Sequence, residues 1–298
     1  MHEKPDRSAL ITLPIMILMV LGITLAGSQG GDSVLGLPVF AMAILVAFVI
    51  QWAGFIAAYL LQTEKFFDLL GSITYISITV MAVWLSPVID GRTILLLILV
   101  VIWAGRLGFF LFRRILKAGK DARFDDIKVS FVRFLNTWTL QGLWVTLTLA
   151  TALAAITTTN RKEFDLFAIV GALVWIFGFA VEAIADAQKS KYLKDQGNKG
   201  RFIETGLWAW SRHPNYFGEI VLWVGVAIIA MPVLRGWQLT TLISPVFVML
   251  LLTRISGLPI LEKRADERWG GQKDYEAYKL RTPVLIPWPP KSGSKKSG

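Results

Sequence analysis

Apolar residues run in long, nearly uncharged blocks separated by polar stretches, at 8–26, 34–61, 69–88, 93–112, 131–159, 164–187, 220–234 and 237–258. A helix needs about 20 residues to cross about 30 Å of hydrocarbon. The pattern therefore predicts an all-α, polytopic integral membrane bundle with seven to eight transmembrane helices. Block 220–234 is the weakest, being short, interrupted by Pro232 and followed by Arg235 and Gly236. The first block reads as a retained span, because no small-x-small cleavage site follows its apolar core cleanly. There is no strand-and-helix alternation, no GxGxxG and no P-loop, so a Rossmann domain is not expected and any nucleotide must bind to helices and loops. The whole of 1–290 reads as one transmembrane domain, and the Ser-, Gly- and Lys-rich 291–298 as a disordered basic tail.

Composition agrees: 54% of the 298 residues are hydrophobic, against roughly 45–50% in soluble domains. The net charge of +10 does not point to nucleic acid, because the cations sit in alternate loops. Arg113, Arg114, Lys117, Lys120, Arg123, Lys128 and Arg133 follow the fourth block, and Lys189, Lys191, Lys194, Lys199, Arg201 and Arg212 follow the sixth. The positive-inside rule then makes both termini cytoplasmic and favours eight spans. Without cysteine, disulfides, iron–sulfur clusters and thiolate zinc sites are excluded. His2 and His213 are the two histidines, so no metal site is expected.

The polar residues inside or beside apolar blocks carry the chemistry, because stranding them in lipid costs several kcal/mol (roughly). Glu182 and Asp186 are four residues apart and share a helical face, as do Asn215 and Glu219. Two readings stand. The acids pair with loop cations and stitch helix ends together, or they and Asn215 bind ribose hydroxyls or a carboxamide while Lys189 and Arg212 meet phosphate. Pro214 suits the first turn of a helix, leaving nearby amides for an anion, and Gly218 permits close approach. His213 is either a packed residue or a functional one. Asp68, Ser72 and Tyr75 share a face, with Asp68 expected to point into the bundle; Gln62, Thr63, Glu64 and Lys65 suit a solvated headgroup region. Arg106 lies deep enough in its block to call for a buried acid or a phosphate, while Asn136, Trp138 and Gln141 add donors beside Gly142, where close helix packing is the competing reading.

Thr205-Gly206-Leu207-Trp208, the run Trp210-Ser211-Arg212-His213-Pro214-Asn215-Tyr216-Phe217-Gly218-Glu219, Leu261-Glu262-Lys263-Arg264 and the stretch from Tyr275 to Trp288 resemble the C-terminal half of the steroid 5-alpha-reductase family, in its bacterial branch. The likeness extends from Thr63 to Pro290 and is strongest after Phe179. It implies a membrane enzyme that uses NADPH to reduce a carbon–carbon double bond conjugated to a ketone, on a lipid, foremost a 3-oxo-4-ene steroid. It further implies a bacterial inner-membrane location with the cofactor on the cytoplasmic side, a cofactor half at about 106–290 and a substrate pocket mainly on the 8–116 side. Implied cofactor contacts are Asn215 and Glu219 with Glu182 and Asp186, Arg106 as the family arginine, and Gln141 from Leu140-Gln141-Gly142. Lys189, Trp210, Arg212, His213, Tyr216, Glu262 and Arg264 complete that set. The family tyrosine that polarises the ketone falls near Trp103, and the family Gln-Glu pair has Asp68, or Gln62 with Glu64, as its counterpart. The candidate catalytic donors are thus Asp68, Glu64, Tyr75 and Trp103. The His-Pro-x-Tyr-x-Gly core is also similar to S-adenosylmethionine-dependent membrane methyltransferases of the isoprenylcysteine type, which usually have apolar residues where Asn215 and Glu219 stand. A transporter is disfavoured by the lack of a first-half counterpart to the Arg-His-Pro-Asn motif.

Overall fold

The computed structural model describes residues 7–289; His2 and the tail expected at 291–298 lie outside them. The described helices are α1 Arg7–Ser28, α2 Val39–Leu60, α3 Phe67–Leu85, α4 Gly91–Ala118, α5 Phe131–Thr157, α6 Leu166–Lys194, α7 Pro214–Ala230, α8 Ser244–Leu250, α9 Leu258–Trp269 and α10 Lys273–Arg281. Strand pairing among the described residues is a two-residue hairpin, Ser33–Val34 with Leu37–Pro38, and a bridge between Gly31 and Thr158. Among the described residues, eight segments are long and apolar enough to cross a membrane. The protein is an all-α polytopic membrane protein, and the expected seven to eight spans resolve to eight by length and composition.

The seventh span is longer than its apolar block because α7 begins at Pro214, and a tight turn carries it to Val233. The eighth, Gly236–Trp269, changes its winding three times. It opens as a 3-10 helix at Gly236–Ile243, continues as α8, widens into a π turn at Leu251–Ile255 and resumes as α9. The apolar pattern stops at Leu258 although the segment continues, since α9 is largely charged and exposed.

The chain divides into two compact units, one comprising residues 1–169 with 226–244 and the other 170–225 with 245–298. In the first, α5 is the axis. Its most apolar window is 89% buried, against at most 50% in every other span, and α1, α2 and α3 pack upon it. Small residues let these helices close: Gly54 lies under Leu70 and Trp138, Gly142 under Phe48, and Gly71 under Gln141. Where α4 and α6 begin, the fully buried Arg92 pairs with Asp165 at 2.9 Å and donates to the carbonyls of Glu163, at 3.2 Å, and Ile229. Arg161 meets Asp32 at 2.7 Å there. Asp90 caps α4 by accepting from the Thr93 N–H at 2.7 Å, and Gly119, at φ +79°, ends it.

The second unit is organised by backbone contact between antiparallel α6 and α7. A Cβ on Gly178 would lie 2.5 Å from the Leu222 nitrogen, one on Gly218 2.5 Å from the Gly178 carbonyl oxygen, and one on Gly225 2.6 Å from the Gly171 carbonyl oxygen. No side chain fits between the two helices at these levels. Dispersion and close packing hold such helices together where lipid supplies no hydrophobic drive.

Candidate functional site

The glycine contact sets what stands beside it. One turn past Gly178 comes Glu182, buried to 2% exposure, and one turn further Asp186, at 8%. On the facing helix the turn before Gly218 carries Asn215, whose Nδ2 donates to Asp186 Oδ1 at 3.3 Å. Asn215 Oδ1 is buried without a hydrogen-bond partner among the described residues. Glu219, half-buried, follows on the next turn of α7. Asp186 and Asn215 are thus brought together at the helix–helix seam, with the Glu182 backbone against Gly218. Asp186 accepts from a neutral amide across the seam.

The loop entering α7 is fastened from both sides. Toward α6, Leu207 N–H donates to Gln188 Oε1 at 2.9 Å and Trp208 Nε1 to the Ala185 carbonyl at 3.0 Å, while Lys189 Nζ sits over the Trp208 ring at 4.8 Å. Beyond α10, the C-terminal segment runs back along the loop. Arg212 N–H donates to the Pro283 carbonyl at 2.9 Å, Ser211 Oγ to the Leu285 carbonyl at 2.8 Å, and Trp288 N–H to the Trp210 carbonyl at 2.9 Å. Tyr278 OH donates to the Trp208 carbonyl at 2.7 Å; burial pushes this phenol well above its ordinary range, so it stays a donor. Pro214 occupies the first position of α7 as expected.

His213 is buried and stacked on Tyr216, ring centroids 5.7 Å apart. Its Nε2 lies 2.6 Å from Glu262 Oε1, and Arg212 Nη1 lies 2.5 Å from Glu262 Oε2. Arg212, expected as a phosphate cation, is therefore engaged by a carboxylate. Trp210 and Arg264 are exposed. Beside Arg212 opens a recess of about 310 Å³ lined by Lys279, Arg281, Pro283, Val284 and Trp288. Lys279 meets Asp266 at 2.7 Å and Arg281 meets Glu204.

In the first unit the other candidates separate. Tyr75 and Trp103, both buried, meet edge to face at 5.1 Å. Gln141 Nε2 donates to the Phe67 carbonyl at 3.1 Å, and Arg106 is half-buried on α4. Asp68, expected to point into the bundle, is half-buried with Arg114 at 3.7 Å. Glu64 requires a correction. It is buried, not a solvated headgroup residue, and accepts from Lys128 Nζ at 2.8 Å and from the Asp121 N–H at 3.0 Å. Burial alone would raise its pKa, yet the Lys128 ammonium and the backbone donors hold it below the ordinary carboxylate value. Glu64 is an ionised structural acceptor and is withdrawn as a proton donor.

Sequence reasoning singled out Gly218 but missed Gly171, Gly178 and Gly225, whose seven-residue spacing on α6 and α7 was the available signal. It also missed Gln188, and Tyr278 entered only as part of the C-terminal stretch.

The family profile described as protein of unknown function (DUF1295) matches residues 54–282, spanning both units. No curated protein and no solved structure matches the chain. With most of its length inside that match, the chain belongs to the DUF1295 family, membrane proteins related to the steroid 5-alpha-reductases.

Proposed function

We propose that the protein is an NADPH-dependent membrane reductase acting on the conjugated double bond of a lipid enone, with a 3-oxo-4-ene steroid as the leading substrate. The observation that carries this reading is the α6–α7 seam, where Glu182 and Asp186 are buried, Asn215 is half-buried, and the buried Asn215 Oδ1 has no hydrogen-bond partner among the described residues. Buried acceptors of this kind suit the ribose hydroxyls and carboxamide of a nucleotide. Family kinship with the steroid 5-alpha-reductases supports the same choice.

The cofactor supplies hydride when bound. The chain's own part is to orient it and exclude water. Asn215 and Asp186, with Glu182 and Glu219, would hold its uncharged polar groups; Lys189, and Arg212 while still paired with Glu262, would offer positive charge to its phosphates. Hydride added at the β-carbon of an enone would build negative charge on the ketone oxygen, where a fixed donor would lower the barrier, and a proton from solvent would complete the reduction at the α-carbon. Tyr75 and Trp103 are the candidate donors, and an aromatic pair locked edge to face is a rigid place to mount one. The substrate is drawn from the membrane, in a bacterial inner membrane with the cofactor on the cytoplasmic side.

The test is purified protein in detergent, offered NADPH or S-adenosylmethionine, with melting temperature and NADPH absorbance followed. A rise with NADPH, and its consumption when a 3-oxo-4-ene steroid is added, are expected. A rise with S-adenosylmethionine alone would replace the reductase by a methyltransferase.

A further inference from the structure

His213 carries a second orphaned acceptor, two residues from the first. Its side chain is only 8% exposed, and its two ring nitrogens have unlike surroundings. Nε2 faces Glu262 Oε1, and the other oxygen of that carboxylate is gripped by Arg212. A carboxylate held by a guanidinium accepts hydrogen bonds and does not donate them, so the proton of a neutral imidazole must sit on Nε2. Burial, with the positive charges of Lys189 and Arg212, holds the ring below its ordinary pKa against the pull of Glu262, which keeps it neutral near pH 7. Nδ1 is left as a bare lone pair, buried and without a hydrogen-bond partner among the described residues. Buried polar atoms are nearly always partnered, and one that is not calls for a reason.

Resting on the cofactor reading above, we propose that Glu262 is a positioning residue that locks His213 as the Nε2–H tautomer, so that Nδ1 accepts a hydrogen bond from an O–H or N–H of the bound nucleotide. A phosphate oxygen, itself an acceptor, is refused at this atom. With Asn215 Oδ1 two residues further on, the start of α7 reads donor groups of the ligand and leaves its phosphates to the cations. Glu262 acts through His213 and touches no ligand.

The test is nitrogen NMR of protein isotope-labelled at histidine. Only His2 and His213 contribute, so the spectrum holds two rings. In the free protein the His213 Nε2 should be protonated and Nδ1 not. NADPH should shift Nδ1 without protonating it, and Glu262→Ala should give mixed tautomers and an affinity about tenfold lower, the loss of one buried hydrogen bond's orientation. Two substitutions separate ligand contact from mere packing. His213→Asn places an acceptor near the Nδ1 position and should keep NADPH affinity within about threefold, whereas His213→Gln reaches only the Nε2 position and should lose about tenfold while keeping its melting temperature. A protonated Nδ1 in the free protein, an Nδ1 signal indifferent to bound NADPH, or tighter binding by the Gln variant than by the Asn variant would overturn the proposal. Should NADPH fail to raise the melting temperature at all, the cofactor reading fails, and the tautomer is judged by the free-protein spectrum.

Discussion

Glu64 and Asp186 are both buried acids beside a helix end, and their company differs. Glu64 is closed off: Lys128 and the Asp121 N–H take its oxygens, and Lys128 comes from a loop distant in sequence. Asp186 meets the Asn215 amide, whose own oxygen is buried without a partner among the described residues. A buried carboxylate is therefore a poor marker of a binding site when a cation neutralises it in place, since ion pairs of this kind fasten loops. An amide oxygen left without a partner among the described residues, on a seam where backbones touch, keeps acceptor capacity for something else.

The sharpest way to break this contrast is to remove one member from each region. Glu64→Ala removes the acceptor of both the half-buried Lys128 ammonium, which keeps only Asp125 at 3.8 Å, and the Asp121 N–H, and should cost about 3 kcal/mol of stability, read as a lowered melting temperature. The NADPH-induced rise should survive in that variant. Next in size is Gly178→Ala, whose Cβ would press into the Leu222 nitrogen and the Gly218 carbonyl. Backbone cannot yield as a flexible side chain does, so about 2 kcal/mol is expected, with loss of NADPH affinity because Asp186 and Asn215 are carried apart. Asn215→Ala should hardly change the melting temperature of the free protein yet weaken NADPH binding about tenfold, one hydrogen bond's worth; isothermal titration would measure it. If Glu64→Ala abolished NADPH binding and Asn215→Ala did not, the roles assigned to the two regions would be reversed.

The smallest effect is in pH. Burial depresses the His213 value below 6.5, and Lys128 brings Glu64 below 4.5 despite its burial. For a depressed group, stability is fully present above the unfolded value and is lost as pH falls toward the folded one. Melting temperature should thus hold near neutrality, begin to fall below about 6.5 because the buried ring between Glu262, Arg212 and Lys189 resists protonation, and fall again below about 4.5 as Glu64 loses its charge. The first decline should vanish in His213→Asn while the second remains.

Much of this was legible in the sequence. Apolar blocks of span length announced the helices because lipid demands length and hydrophobicity above all. The seventh was underestimated, since its first two turns hold Asn215 and Glu219 and hydropathy discounts them although they are helical. Spacing placed Glu182 with Asp186 and Asn215 with Glu219 on helix faces. That the two faces meet was not legible, because it depends on glycines matched across two helices. The link between His213 and Glu262 was hidden for a similar reason: the residues lie 49 apart in the chain, and nothing in local pattern ties a loop histidine to a glutamate on α9. Glu64 was misjudged because its neighbours in sequence are polar and exposed, while its partners, Asp121 and Lys128, arrive from beyond α4.

The most direct measurement is a density map of the protein determined with NADPH. Nucleotide density should lie within hydrogen-bond reach of Asn215 Oδ1 and the Asp186 carboxylate at the α6–α7 seam. A map with NADPH bound elsewhere, or with the Asn215 amide turned to satisfy itself within the protein, would contradict the assignment.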